Sequence, residues 1–323
     1  MRYRRFPRCN WRVSEIGYGM WGMGGWTGSD DVESAAALDR AVDLGCNFYD
    51  TALAYGDGRS EKLLGALVRR HPTRQLFIAT KVPPLNRQWP GKGTTPIDQV
   101  FPYDHVRASA RVSLAHLRTD AIDLLQLHVW DDAWTSDGGW QRAATELKQE
   151  GVIRAFGISV NRWEPQNVLR ALDTGLVDAV QVVFNVFDQS PIDLLLPACQ
   201  RLDIAVIARV PFDEGSLTGT LSAASRWPDG DFRNMYFAPL HLAATLARVA
   251  PLQQLATEWN LSLPDVALRF ILAHDAVTTT IPGMRRERHV EHNLASSDAP
   301  LLTAEQLNQL RAFRWERTPD ERS

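Results

Sequence analysis

The sequence predicts a closed (β/α)8 barrel, and three observations carry that prediction. Short apolar, β-branched runs alternate with longer stretches of helical periodicity along most of the chain. The apolar runs are continuous rather than alternating, as in parallel strands buried on both faces. The alternation runs on without a sign of reversed strand order, which favours a closed barrel over an open doubly wound sheet. With no linker, repeat or low-complexity segment, residues 1–323 read as one domain.

The elements follow in order. Residues 3–16 look like a hairpin that could plug the barrel floor. Residues 46–51 read as a strand, and 61–70 as a helix with Leu63, Leu64, Leu67 and Val68 at helical spacing. Further strands are expected at 76–82, 122–129, 153–159, 177–184, 204–210 and 277–281. Helices are expected at 104–117 with Asp104 as N-cap, at 140–149 and 165–173, each stopped by a glycine, and at 191–202. Others are expected at 252–259, 264–273 and 288–295. These seven strands and eight helices are read as an eight-unit barrel with the last two connections longest. A final helix at 303–313 opens with Thr303-Ala304-Glu305-Gln306, a capping-box pattern.

Composition narrows the function classes. A net charge of −3 gives no basic surface for nucleic acid or an acidic membrane. No apolar run is long enough to span a bilayer, and the basic start Met1-Arg2-Tyr3-Arg4-Arg5 lacks the apolar stretch of a secretory signal. Cys9, Cys46 and Cys199 have neither metal nor disulfide spacing and read as reduced thiols of a cytoplasmic protein. Eleven tryptophans are unusual. Those in loops (Trp26, Trp89, Trp130, Trp134, Trp227) either line a pocket or pack under long loops.

An active site in such a barrel forms at the C-terminal strand ends. The polar residues there are Asp50, Lys81, His128, Ser159, Gln181 and Arg209. Tyr55 follows Asp50 by five residues. A free phenol titrates near about 10, and a neighbouring ammonium lowers that value. Lys81 can supply the ammonium, Asp50 can hold Lys81, and His128 can hydrogen-bond a substrate oxygen. Together they would polarise a carbonyl and protonate its oxygen as a hydride arrives. Each residue alone has a bland reading, as rim aromatic, paired ion or core imidazole. Four at consecutive strand ends resist it.

The motifs Asn47-Phe48-Tyr49-Asp50-Thr51-Ala52 with Tyr55-Gly56, Thr80-Lys81, and Asp123-Leu124-Leu125-Gln126-Leu127-His128 resemble the aldo-keto reductase family. The resemblance runs from Val13-Ser14-Glu15-Ile16-Gly17-Tyr18-Gly19 to Ile281-Pro282-Gly283 and Asn293-Leu294. It implies a barrel without metal that reduces an aldehyde or ketone, a sugar included, with NADP(H), or runs the reverse oxidation. The family's catalytic tetrad falls on Asp50, Tyr55, Lys81 and His128.

The resemblance also implies a nucleotide seat. Met20, Trp21 and Asp50 lie at the nicotinamide end, where Ser159 and Gln181 meet its amide. The family's Asn follows that Ser directly, but here Val160 intervenes before Asn161. Arg209 stands where the family often stacks an aromatic ring. A guanidinium also stacks but would repel an oxidised ring, which favours the reduced cofactor. Val210, Pro211, Phe212, Gly215 and Leu217 match the pyrophosphate loop. Gly283, Met284, Arg285, His289, His292 and Asn293 match the adenosine end, where Arg285, Arg286 and Arg288 suit a 2′-phosphate.

Trp21, Trp26, Trp89, Trp130 and the 222–239 loop are the expected substrate walls, for hydrophobic carbonyls or sugar faces. Asp131, Asp132, Asp229 and Asp231 would admit a polyhydroxylated substrate. Two alternatives stay open: a nucleotide-binding regulatory module of the same fold, and an NAD-linked sugar or polyol dehydrogenase. The oligomeric state, a homo-oligomer included, stays open too.

Overall fold

The computed structural model describes residues 1–26, 28–136 and 138–317. Two antiparallel strands come first, β1 (Tyr3–Phe6) and β2 (Trp11–Ser14), paired from Tyr3 opposite Ser14 to Phe6 opposite Trp11. The barrel strands follow: β3 (Tyr18–Gly19), β4 (Phe48–Asp50), β5 (Phe77–Val82), β6 (Ile122–Leu127), β7 (Ile153–Ser159), β8 (Ala179–Val183), β9 (Ala205–Arg209) and β10 (Thr279–Thr280). Each pairs in parallel with its sequence neighbour, so sheet order is chain order. The seam between β3 and β10 closes through backbone bonds, Gly17 N–H to Thr280 O (2.8 Å) and Gly19 N–H to Pro282 O (3.0 Å). A Cβ at Gly19 would stand 2.5 Å from Ile281 O, so only glycine fits this seam.

Helices clothe the barrel: α1 (Asp31–Asp43), α2 (Arg59–Arg70), α3 (Tyr103–Leu117), α4 (Gly138–Gln149), α5 (Leu169–Leu172), α6 (Leu195–Arg201), α7 (Phe232–Tyr236), α8 (Pro239–Glu258), α9 (Leu263–Leu272), α10 (Glu287–Ala295) and α11 (Ala304–Arg311). The main core lies between strands and helices, with Leu64, Leu67, Leu125, Phe156 and Phe270 buried in it. A separate cluster fills the barrel bottom. There Phe6 and Val13 of the hairpin pack on Phe48, Phe77 and Leu124, among the small Ala79, Ala155, Ala179 and Ala205. Small side chains inside the ring leave the volume that Phe6 occupies, so the hairpin does plug the floor.

Seven barrel strands coincide with runs read from the sequence; β3 and α1 do not. β3 is Tyr18 and Gly19 behind Gly17, with no apolar run around it, and the buried positions of α1 are Ser34, Ala37, Leu38, Ala41 and Val42. Asp104 is not an N-cap, because α3 begins one residue earlier, behind Pro102. The expected helix at 165–173 shrinks to α5, and 191–202 splits into a 3-10 turn at Ser190–Ile192 and α6. The helix expected from 252 starts at Pro239 and runs through Pro251. α7 occupies part of the stretch read as a 222–239 loop. The capping box before α11 forms, with Gln306 N–H donating to Thr303 Oγ1 (3.2 Å) and Thr303 N–H to Gln306 Oε1 (2.8 Å).

Candidate active site

Asp50 ends β4, Lys81 is the penultimate residue of β5, and His128 follows β6, its N–H donating to Val82 O (3.1 Å). Tyr55 comes out of the turn after β4, where its N–H bonds Ala52 O (2.9 Å). The next residue sets that turn. Gly56 has φ +62°, and a Cβ there would stand 2.1 Å from Gly24 O, so glycine lets the Tyr55 turn lie against the Trp21–Gly25 segment.

Lys81 is fully buried and spends its three N–H bonds on Asp50 Oδ1 (2.5 Å), Thr51 O (2.7 Å) and Tyr55 Oη (3.4 Å). The other carboxylate oxygen of Asp50 accepts from Gln181 Nε2 (2.7 Å) and Gln126 Nε2 (3.2 Å). A buried ion pair needs such complete satisfaction to hold. Burial pushes the Tyr55 phenol up, Asp50 adds to the push, and Lys81 and Arg209 pull against it without prevailing. From the sequence, the ammonium should bring Tyr55 below its ordinary value; in the fold, desolvation of the phenolate outweighs it. Burial disfavours the charged form of Lys81, but Asp50 and Tyr55 outweigh burial and hold it above its ordinary range.

His128 stands edge-on to Tyr55 (centroids 5.6 Å apart) and to Trp89 (4.6 Å). Burial first, then Lys81 and Arg209, drives its imidazole well below the ordinary value, so it is neutral. Its Nδ1 is buried with no hydrogen-bond partner among the described residues. Trp26 stands edge-on to Tyr55 (6.1 Å) and tilted against Trp21 (5.4 Å), so Trp21, Trp26 and Trp89 ring the cluster. Trp21 and Trp89 are 41% and 48% exposed, which suits walls of an open mouth.

Trp130 is not such a wall. It is fully buried, packed edge-on against Trp134 (5.8 Å) and Trp140 (5.1 Å), and its Nε1 donates to Asp132 Oδ1 (3.3 Å). Three loop aspartates are also spent on structure. Asp131 caps a 3-10 turn, Asp132 accepts from the N–H groups of Arg170 and Ala171, and Asp231 caps α7 and pairs with Arg233. Asp229 is exposed.

The Aldo/keto reductase family model matches residues 15–314. The chain belongs to that family. It is 31% identical to an uncharacterised oxidoreductase of Bacillus subtilis, over 97% of this chain and 96% of that one. An NADP(+) aldo-keto reductase of Schizosaccharomyces pombe is 28% identical, over 90% and 86%. A protein of Oryza sativa subsp. japonica named "Probable voltage-gated potassium channel subunit beta" is also 28% identical, over 97% and 96%. Among solved structures, the holo form of an aldo-keto reductase from Bacillus halodurans superposes with a TM-score of 0.78 at 25% identity, covering all of both chains. An aldo/keto reductase is an oxidoreductase that works with a nicotinamide cofactor.

In this aldo/keto reductase the residues expected at the cofactor divide into three groups. Ser159, the last residue of β7, is opposite Gln181 in the middle of β8. Met20 N–H bonds Asp50 O (2.9 Å), which brings the Met20–Trp21 segment onto the cluster. Asn161 is committed to the backbone of Gly91, accepting from its N–H (3.2 Å) and donating to its O (2.9 Å). Arg209 donates to Val160 O (3.0 Å), and its buried Nε has no partner among the described residues.

Past Arg209 the backbone is strained. Val210, Asp213 and Glu214 have φ of +57°, +46° and +55°, and Val210 is β-branched. Pro211, Phe212, Gly215 and Leu217 share this turn, with Leu217 buried in the core. Asp213 anchors it by accepting from Ser216, Tyr236, Arg162 and Arg317. The side chains of Met20 and Met284 are core too, which leaves their backbone for any nucleotide. Gly283 bridges Gly19 across the seam.

At the adenosine end, burial and then Arg233 and Arg286 hold Arg285 below its ordinary value. Burial, Arg288, Arg286 and Arg285 do the same to His289. Arg286 reaches Glu33 (3.2 Å), His292 Nε2 lies 3.4 Å from Ser262 Oγ, and Asn293 is buried. Gln126 and Arg233 were not singled out from the sequence. A polar residue inside an apolar strand was a usable signal for Gln126. Arg233 carried none, since its place beside Arg285 depends on how α7 folds over.

Among the described residues no group of three His, Cys, Asp or Glu side chains is placed to hold a metal ion. No helix among them is long and apolar enough to cross a membrane.

Proposed function

We propose that this protein is an NADP-dependent carbonyl reductase in which Tyr55 donates the proton. The observation that carries the reading is the Lys81 ammonium shared among Asp50, Thr51 O and Tyr55, beneath a phenol that burial keeps protonated. A protonated phenol suits reduction. Alcohol oxidation would need the phenolate, which desolvation disfavours here, and this sets the polyol-dehydrogenase alternative second.

The residues fit a nicotinamide nucleotide. His128 Nδ1, Arg209 Nε and Trp26 Nε1 are buried polar atoms without partners among the described residues, and they gather around Tyr55. Buried polar atoms in native proteins are nearly always satisfied, so a cluster of exceptions marks a place for a ligand. Bound NADP(H) supplies the hydride. Ser159 and Gln181 would meet the nicotinamide amide, the Val210–Leu217 turn the pyrophosphate, and Arg285, Arg286, Arg288 and His289 a 2′-phosphate. Burial first, and then like charge, holds Arg285 and His289 low, and an anion beside them would relieve the like-charge part, which supports NADP over NAD.

The protein's own steps are then few. Trp21, Trp26 and Trp89 hold the substrate body. Neutral His128 gives an N–H to the carbonyl oxygen, Tyr55 gives its proton, and Lys81 stabilises the phenolate left behind. Free cysteines, two of them buried, fit a reducing compartment, and we place the protein in the cytoplasm.

Tyr55→Phe tests the reading with an aromatic aldehyde, a ketone and an aldose, each with NADPH and NADH. The expected outcome is a fall in turnover of about 10²–10⁴-fold with NADPH binding retained in fluorescence titration. Turnover equal to the parent would sink the proposal. Tight NADPH binding by the parent without turnover of any carbonyl would favour a regulatory module instead.

A further inference from the structure

Gln126 sits inside β6, beside Lys81 on one side and Gly157 on the other. A carboxamide in a barrel interior is costly unless both of its ends are paired. Gln126 is fully buried, and both ends are paired. Its Nε2 donates to Asp50 Oδ2 (3.2 Å), and its Oε1 accepts from Gln181 Nε2 (3.3 Å). Gln181 Nε2 also donates to the same Asp50 oxygen (2.7 Å). Three side chains from β4, β6 and β8 thus close a triangle across the barrel.

The neighbouring strand makes room for it. A Cβ at position 157 would stand 3.1 Å from Gln126 Cγ and 2.9 Å from Ala179 O. Glycine at 157 therefore lets the Gln126 side chain lie flat toward Asp50.

The charge consequence follows from which oxygen each donor takes. Lys81 neutralises Asp50 through Oδ1, and Oδ2 is left to neutral amides. Negative charge left on Asp50 disfavours the Tyr55 phenolate, and each N–H given to Oδ2 draws that charge down. Any ligand that engages the amide of Gln181 competes with Asp50 for it. Gln126 faces no such competition, because its two partners are both protein groups.

We propose that Gln126 is a positioning residue that holds the Asp50 carboxylate for Lys81 and thereby sets the acidity of Tyr55, while its carbonyl fixes the amide of Gln181. The proposal rests on the reading of Tyr55 as proton donor. Its chemical consequence is a link between the proton donor and Gln181 that runs through one buried carboxamide.

Gln126→Met keeps the length of the side chain and removes both bonds. The test is single-turnover oxidation of NADPH by 4-nitrobenzaldehyde, from about pH 7 to about pH 12, a span that reaches past the ordinary phenol value of about 10. The rate constant should fall about tenfold, the worth of one lost charge-assisted bond. The alkaline limb should move up by about one pH unit, because Asp50 keeps more charge beside Tyr55. An unmoved alkaline limb, with or without a slower rate, overturns the proposal, since a purely structural role would slow the reaction without shifting it.

If Gln126→Met fails to fold, Gln126→Glu reads the same point. Its ionised carboxylate adds negative charge beside Asp50, so the alkaline limb should move up, as in Gln126→Met. A profile superimposable on the parent overturns the proposal. Tyr55→Phe in the same assay separates the two readings. Survival of turnover there defeats the proton-donor reading itself. Its loss there, beside Gln126 variants that match the parent, defeats the role of Gln126 alone.

Discussion

Lys81 concentrates the chemistry of the site in one charge with three acceptors, all of them protein oxygens. Lys81→Met removes that charge and leaves Asp50 buried without its cation. Breaking a buried pair from one side costs about 3–5 kcal/mol, so urea denaturation should show a loss of that size, and carbonyl reduction should vanish with it. Asp50, Lys81 and His128 were legible in the sequence as candidates because a charged or polar group that closes a buried apolar run must be paired there or put to use, and Tyr55 because it follows Asp50 by five residues. The direction of the Tyr55 shift was not legible. It depends on how deeply the turn sinks, and depth is set by contacts far along the chain, such as Gly24 against Gly56. Trp130 was misplaced for a similar reason. Loop position suggested a wet ring, but Trp134 and Trp140 arrive from later residues to cover it.

At the scale of elements, the turn from β4 to α2 does more than connect. Gly56→Ala forces a side chain into a left-handed residue whose Cβ space is already filled by Gly24 O. The cost should be about 1–3 kcal/mol if the turn stays, or a displaced Tyr55 if it moves. Either result lowers kcat more than it weakens NADPH binding, which steady-state kinetics and a binding titration would separate. Strands of five to seven residues were legible because both faces are apolar. β3 was not, because Tyr18 stands between two glycines and the strand takes its place from the seam with β10 rather than from its own pattern. α1 had a readable start, since Asp30 accepts from the N–H groups of Val32 and Glu33. Its buried stripe, a serine and two alanines beside Leu38 and Val42, is too weakly apolar to announce a helix.

Across the whole molecule, burial shifts many neutral acids in one direction. Burial pushes the Cys9 and Cys46 thiols up to about 11 and Cys199 up to about 12, and it carries Tyr18, Tyr49 and Tyr236 well above their ordinary value. The unfolded chain releases these protons first, near about 9 for thiols and 10 for phenols. Their contribution to stability is complete below those values and is lost as pH rises through the folded ones. His128 and His274 act oppositely. Their folded values lie below the unfolded one, so stability is present above about 6.5 and lost as pH falls. Thermal unfolding followed against pH should therefore give a plateau between about 6.5 and about 9, with a steep alkaline decline. A melting temperature still rising above about pH 10 would contradict this.

The plugged floor constrains traffic as well as shape. With Phe6 and Val13 seated among the barrel alanines, side chains fill that end of the barrel, so a ligand of the Tyr55 cluster has to come from the opposite end. Two molecules that share one doorway cannot pass each other inside. If a cofactor and a substrate both bind there, the deeper one arrives first and departs last, an order imposed by the closed end of the barrel, remote from the Tyr55 cluster.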